Sequence, residues 1–290
     1  VFSIQHSGVM KKGNPPTESQ LETYESFQDK LLSAPPFYLR LTGPISCLTD
    51  ATLEAIRRYI EDGSLLTCSD GSHDPEGDTA CQAWLFADKQ GHILWSGAGP
   101  IDGHPDMVTA YRSELGGILT ILFLLAQVAE FFDLTTGAVT LFCDNEGALD
   151  NVFDEFPKRG IYPLLQRDYD LLGAARALLK KIPMKVTKEW VKGHYKGNNR
   201  ALKHDLNDLA DHLATQFQRT PPEGFSCRRM PLLHPEYEAV LYHSGSTVTT
   251  KFQDIIYSQV FSNDLALNIQ KKTGWTPRLF ACVSWKAYEA

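Results

Sequence analysis

Four carboxylates, those of Asp70, Glu114, Asp144 and Asp211, recur along the middle of the chain where strand ends and helices would aim them at one point. Asp70 closes the strand-like run SLLTCSD and enters the turn GSHD, and Asp144 ends the strand-like VTLFCD just before NEGALDNVF. Glu114 reads as a first-turn residue of the long apolar helix pattern in YRSELGGILTILFLLA, and Asp211 as an exposed position of the helix pattern LNDLADHLAT. Like charges a few ångströms apart raise one another's pKa, so converging carboxylates stay ionised together only beside a cation. Hard oxygen donors with no nearby sulfur and no cluster of imidazoles suit Mg2+, with Mn2+ as a substitute, rather than zinc. His194 lies in the loop VKGHYKGNNRA among glycines that permit movement. Histidine ordinarily changes charge near neutral pH, which suits a general acid or proton carrier beside such metals.

Each residue alone has an ordinary explanation. Asp-Gly is a common turn pair, an acid at a helix start answers the helix dipole, Asp144 would serve as a helix cap, and Asp211 would serve as a solvated charge. Four acids at matching ends of successive elements, in one order, are harder to account for separately. A competing cluster, His204, Asp208 and His212, is spaced four apart on one helical face but lacks a second set of zinc donors. No Walker loop, H-E-x-x-H or G-x-S-x-G occurs. Gly97, Gly99 and Gly103 do not open a helix after a first strand, which argues against a dinucleotide site.

The elements that must position these side chains follow from periodicity. Between about Gly63 and Gln218 the order is strand, strand, strand, helix, strand, helix, helix, strand, helix. The strands are SLLTCSD, ACQAWLFAD, HILWSGAG, AVTLFCD and KVTKEWV, and the helices begin near Arg112, Glu146, Leu165 and Leu206. Short turns make the first three strands an antiparallel meander, and the alternation that follows adds parallel strands, giving an α/β fold with a five-stranded mixed sheet flanked by helices. GNPP, APP and TPPEG punctuate the ends. This divides the chain into an N-terminal extension (1–62) containing the amphipathic run DATLEAIRRYIEDG, a catalytic domain (63–218) and a C-terminal helical extension (219–290).

With 290 residues and 43% apolar content the chain can bury a substantial core. The six cysteines are scattered without a C-x-x-C pair, which reads as small buried hydrophobes in a reducing intracellular compartment, cytoplasmic or nuclear. The apolar stretch from Gly116 to Ala129 is short for a bilayer and reads as a core helix, so no membrane partner is expected. A start at Val1 without a signal-peptide pattern reads as a processed or trimmed piece of something longer. The net charge of -7 runs against a polyanion partner, but the acidic excess lies in the stretch holding the proposed metal ligands, where two divalent ions would cancel much of it. Basic residues gather at Lys180, Lys181, Lys185, Lys188, Lys192, Lys196, Arg200 and Lys203.

These motifs, SDGS at Asp70, YRSELGGI at Glu114, FCDNEGAL at Asp144, WVKGH at His194 and LNDLADHLA at Asp211, make the stretch from about Gly63 to Gln218 resemble a ribonuclease H domain of the type 1 class. The resemblance implies a ribonuclease H-like fold, two Mg2+ ions held by the four acids, and hydrolysis of the RNA strand of an RNA/DNA hybrid to 5′-phosphate and 3′-hydroxyl ends. It implies Asp70 bridging both ions, Glu114 and Asp144 serving one, Asp211 the other, and His194 assisting water or product departure. Selection of RNA through the shallow minor groove places Gly71, Ser72, Thr109, Arg112 and Asn145 as nucleic-acid contacts. DNEGAL and the terminal TGWTPRLFACVSWKAYEA are similar to retroelement polyproteins, which implies a reverse transcriptase domain as a neighbour in the parent chain. The sequence departs from common family patterns at Ala110, Tyr111 and Glu146. Between Asp154 and Asp168, where several relatives carry a basic protrusion, it offers Lys158, Arg159 and Arg167. The alternatives are a catalytically silent connector of the same fold, which would lack an acid, and a transposase- or integrase-type DNA nuclease.

Overall fold

In the computed structural model of the chain, residues 7–11, 24, 26–46, 48–77, 79–103, 108–154, 167–225, 239–243, 246–250, 255, 267–268, 271–272 and 274 are described. Two units form, 1–249 and 250–290. In the second, residues 255, 267–268 and 271–272 are helical, and apart from these, 250 and 274 the unit, SWKAYEA included, lies outside the described residues.

Strict alternation along one strand shows how the main sheet is built. In β3 (Thr79–Ala87), Ala80, Trp84 and Phe86 enter one apolar core while Cys81, Ala83, Leu85 and Ala87 enter cores on the opposite face. Successive side chains point to opposite faces, so a strand buried throughout must be covered on both. β3 sits between β2 (Leu65–Asp74) and β4 (Ile93–Pro100), antiparallel to each, and β2 then pairs in parallel with β5 (Ala138–Cys143), which pairs in parallel with β6 (Lys185–Trp190). The spatial order β4-β3-β2-β5-β6 is the meander with parallel additions that the sequence pattern predicts.

One face carries α4 (Ala110–Phe131), with α5 (Glu146–Phe153) and α6 (Tyr169–Lys181) beside it, and the other carries α7 (Leu202–Arg219). α4 is apolar enough to cross a membrane by length and composition, with mean hydropathy 1.6, but it packs as a core helix between the sheet and α6. Gly116 and Gly117 permit the close approach: a Cβ on Gly117 would lie 2.7 Å from Cβ of Ser69 and one on Gly116 2.1 Å from Cδ1 of Ile101. α7 starts four residues before the predicted Leu206. α6 begins at Tyr169, while the predicted start at Leu165 lies outside the described residues.

The N-terminal helices α1 (Phe27–Leu32), α2 (Pro36–Thr42) and α3 (Asp50–Glu61) pack into the same core as α4, through Phe27, Leu31, Leu41, Ile56 and Ile60. The end of α2 is pinned to the sheet. Trp84 Nε1 donates to the Thr42 carbonyl (3.2 Å) and the Gln82 amide to that of Leu41, and Gly99 is required because a Cβ there would lie 1.9 Å from the Leu41 oxygen. A separate antiparallel sheet joins β1 (Ser7–Lys11), β7 (Ala239–His243) and β8 (Ser246–Thr247), in the order β1-β7-β8.

Candidate metal centre

Pairing lengths set the first carboxylate. β2 continues against β3 as far as Asp74, whereas β5 ends with Cys143 opposite Ser69. Asp70 is therefore mid-strand rather than at a strand end, because β3 keeps pairing beyond it. It is the first residue past the end of its parallel neighbour. Its side chain turns toward α7, where Asn207 Nδ2 donates to Asp70 Oδ2 at 3.0 Å. Asp144 follows β5 directly and emerges at the same end of the sheet.

Glu114 comes from α4. Thr109 caps that helix, its Oγ1 accepting from the Arg112 N–H at 3.3 Å, so the helix begins at Ala110 and Glu114 falls in the second turn. The expected first-turn, dipole-matched position is thus incorrect; tertiary contacts hold the carboxylate instead. The Gly71 N–H donates to Glu114 Oε1 at 3.0 Å, and a Cβ on Gly71 would lie 2.6 Å from Cβ of Ser113. Only glycine lets α4 sit this near the strand.

The fourth acid, Asp211, is partly exposed on α7, one turn beyond Asn207. Asn207 was not singled out in the sequence, although its i, i+4 spacing from Asp211 places both on one helix face.

Electrostatics tie the four together. Burial and the charges of Asp144 and Asp211 push Asp70 up to about 8. Burial, Asp70 and Asp144 push Glu114 well above the carboxylate range. Asp144 is also raised, by burial and then, against the lowering influence of His194, by Asp211. Ligand atoms of Glu114, Cys143 and Asp144 lie within 4.8 Å of one another.

Cys143 corrects the expectation of a site without sulfur. Its thiol donates to Glu114 Oε2 at 3.6 Å. Burial and the Glu114 charge push it well above the usual thiol range, so it remains a neutral S–H and leaves the oxygens as the charged donors. A set of mutually repelling carboxylates, in which Asp70 accepts from Asn207 and Glu114 from the Gly71 N–H and the Cys143 thiol, fits hard divalent cations.

The His194 loop closes over the same end. A Cβ on Gly193 would lie 2.2 Å from Asp144 Oδ2, while it is His194 that takes the left-handed backbone, at φ 47°. Gly193 thus lets the loop pack closely against Asp144. His194 is 78% exposed, with Nδ1 at 3.9 Å from Asp211 Oδ2. Trp190, half exposed at the end of β6, donates from Nε1 to the Asp144 carbonyl at 2.8 Å. A Gly193→Ala variant is expected to fold normally yet lose roughly a hundredfold in metal-dependent turnover, the scale of an ångström-sized misplacement. Unchanged turnover alongside a parent-like melting temperature would remove that contact from the site.

The predicted nucleic-acid contacts are placed unequally. Gly71 and Ser72 are half-buried in β2, and the Ser72 hydroxyl donates to Gln218 Oε1 at 2.6 Å. Thr109 caps α4 and also accepts from Arg167 Nη2 at 3.0 Å. Asn145 caps α5, accepting the Ala148 N–H at 3.0 Å. Arg112 does not face a ligand: it is 2% exposed and donates to Asp168 and, through both terminal nitrogens, to Asp170. Its charge is spent inside the protein.

Much of the basic cluster is likewise paired. Lys188 meets Asp150 and Asp154, Arg200 meets Asp205 and Asp208, and Lys203 meets Glu189, while Lys192 and Lys196 are exposed. The Arg200 pairing with Asp208, and a buried His204 that accepts the Ala201 N–H at 3.0 Å, also dismantle the alternative zinc cluster. Lys158 and Arg159 lie outside the described residues.

No protein-family model matches the sequence, and no curated protein matches it. Among solved structures, ribonuclease H1 of the halophilic archaeon Halobacterium salinarum NRC-1 is similar over 52% of this chain and 95% of its own, at 18% identity and a TM-score of 0.36. The N-terminal ribonuclease H domain of a Mycobacterium tuberculosis protein, in fusion with maltose-binding protein, is similar over 53% and 93%, at 18% identity and a TM-score of 0.34. Identity at this level transfers no residue roles.

Proposed function

We propose that this chain is a metal-dependent endonuclease that hydrolyses the RNA strand of RNA/DNA hybrids, with residues 63–218 carrying the catalytic machinery. The observation that carries this reading is the cluster of buried Asp70 and Glu114 with half-buried Asp144, and Asp211 at its rim, in which burial and neighbouring carboxylates raise the pKa of Asp70, Glu114 and Asp144. Mg2+ or Mn2+ would be held by these four carboxylates and would supply water activation and charge stabilisation at a phosphodiester.

The chain's own groups do the rest. Asn207 holds one oxygen of Asp70 and the Gly71 N–H one oxygen of Glu114, so each carboxylate is oriented before any ligand arrives. Trp190 and Gly193 fix Asp144 from its backbone and side-chain sides. His194, with Nδ1 toward Asp211, leaves Nε2 to accept or deliver a proton at the attacking water or the departing oxygen. Gly71, Ser72, Thr109 and Asn145 border the Asp70, Glu114 and Asp144 positions, where backbone and hydroxyl groups suit ribose hydroxyls. The motif resemblance supports a retroelement origin with a reverse transcriptase domain as neighbour, and the free buried thiols of Cys68 and Cys143 suit a reducing intracellular setting.

The test is cleavage of a labelled RNA/DNA hybrid with and without Mg2+, beside duplex DNA. Expected is metal-dependent cutting of the RNA strand alone, leaving 5′ phosphates. Cutting of duplex DNA would favour a transposase-type nuclease, and no cutting of either would favour a silent connector. His194→Ala is expected to slow turnover by about a hundredfold, within the range of general acid–base assistance. A parent rate would remove His194 from the chemistry.

A further inference from the structure

The loop carrying His194 is exposed, and its left-handed φ of 47° is unfavourable for a residue with a Cβ. Something must hold it, and the holding groups lie in the following YKGNNRALKH. The Tyr195 ring folds back onto the buried His204 imidazole of α7, with centroids 4.2 Å apart and planes at 18°. Gly197 makes room, since a Cβ there would lie 2.3 Å from the Tyr195 hydroxyl. Arg200 donates to the Tyr195 carbonyl at 3.3 Å while its guanidinium reaches Asp205 and Asp208. Exposed ion pairs contribute little on their own, whereas a stack on a buried ring excludes water and restricts orientation. The stack is therefore the principal restraint and Arg200 the secondary one.

We infer that Tyr195 and His204 are positioning residues that clamp the His194 loop to α7, so that His194 is held over Asp211 before substrate binds. The inference rests on the proposed nuclease function for its catalytic consequence, but the clamp itself does not. Two measurements on the full chain separate them. Hydrogen exchange of residues 193–200 should quicken at least about tenfold in Tyr195→Ala and remain at the parent rate in Tyr195→Phe, which keeps the ring. On the hybrid, Tyr195→Ala should lower kcat about tenfold with KM unchanged, the scale of a displaced catalytic group, and Tyr195→Phe should restore it. In a His194→Ala background Tyr195→Ala should have no further effect, because the residue it positions is gone. Unchanged exchange in Tyr195→Ala, or an equal further loss in the His194→Ala background, would overturn the clamp. If the parent does not cleave the hybrid, the proposed function fails, and the exchange measurement alone decides the clamp.

Discussion

Asp70→Asn is expected to abolish metal-dependent cleavage, by roughly a thousandfold or more, while making the metal-free protein more stable at neutral pH. Loss of one preorganised charged group at a reacting centre costs turnover on that scale. Stability moves the other way because the folded protein holds Asp70 at about 8, against an ordinary value of 3.8. The folded state therefore prefers the protonated acid. This group's contribution to stability is fully present below about pH 4 and is lost as pH rises through about 8. Asparagine removes the charge but keeps an oxygen that accepts from Asn207 Nδ2, so packing is retained. Melting measured from pH 5 to 9 without metal should fall more steeply for the parent than for Asp70→Asn. Adding Mg2+ or Mn2+ should raise the parent's melting temperature more than the variant's, since a ligand stabilises only the state that binds it. Turnover persisting in Asp70→Asn, or a parent whose melting ignores both ions, would refute the metal centre.

Replacing Arg112 by methionine is expected to cost about 3–5 kcal/mol of folding stability, the range for removing one partner of a buried ion pair. Arg112 is buried against Asp168 and Asp170, which are themselves 0% and 4% exposed. Its loss takes from Asp170 a guanidinium bonded through both terminal nitrogens and leaves Asp168 with the weaker, half-exposed Arg167 at 3.4 Å. Asp168 also sits in the left-handed region, at φ 54°, and starts α6, while its backbone N–H donates to Thr249 at 2.9 Å. One guanidinium thus fixes the start of α6 against α4. Burial already raises Asp168 above its ordinary range despite Arg112. The deficit of Arg112→Met should therefore be greatest near pH 7 and narrow in acid, where the buried carboxylates take up protons. Urea unfolding at pH 7 and pH 5 reads this directly. A deficit below about 1 kcal/mol, a surface-like value, would return Arg112 to the candidate contact residues.

Local patterns made the architecture legible. The unbroken apolar run of β3, buried on both faces, and the helical runs around α4 and α7 are local patterns carried in the sequence itself. Element boundaries were less accessible because partners set them: β2 runs to Asp74 because Thr79 pairs with it, and α4 starts early because Thr109 caps it. At the site the acids announced themselves by type and context, but their supporting groups did not. Asn207 reaches Asp70 across 137 positions and Gly71 reaches Glu114 across 43, and neither separation leaves a local trace.

The sequence alone determined which oxygens are present, the order in which strands and helices deliver them, and a net negative chain in which four acids crowd without matching lysines. The tertiary structure decided which charges are available. It buried Arg112 in ion pairs, paired Lys188, Arg200 and Lys203 with nearby acids, set a neutral thiol beside Glu114, and brought Gly193 against Asp144. The reason is physical: periodicity is written along the chain, whereas desolvation and charge pairing depend on neighbours that only folding brings together.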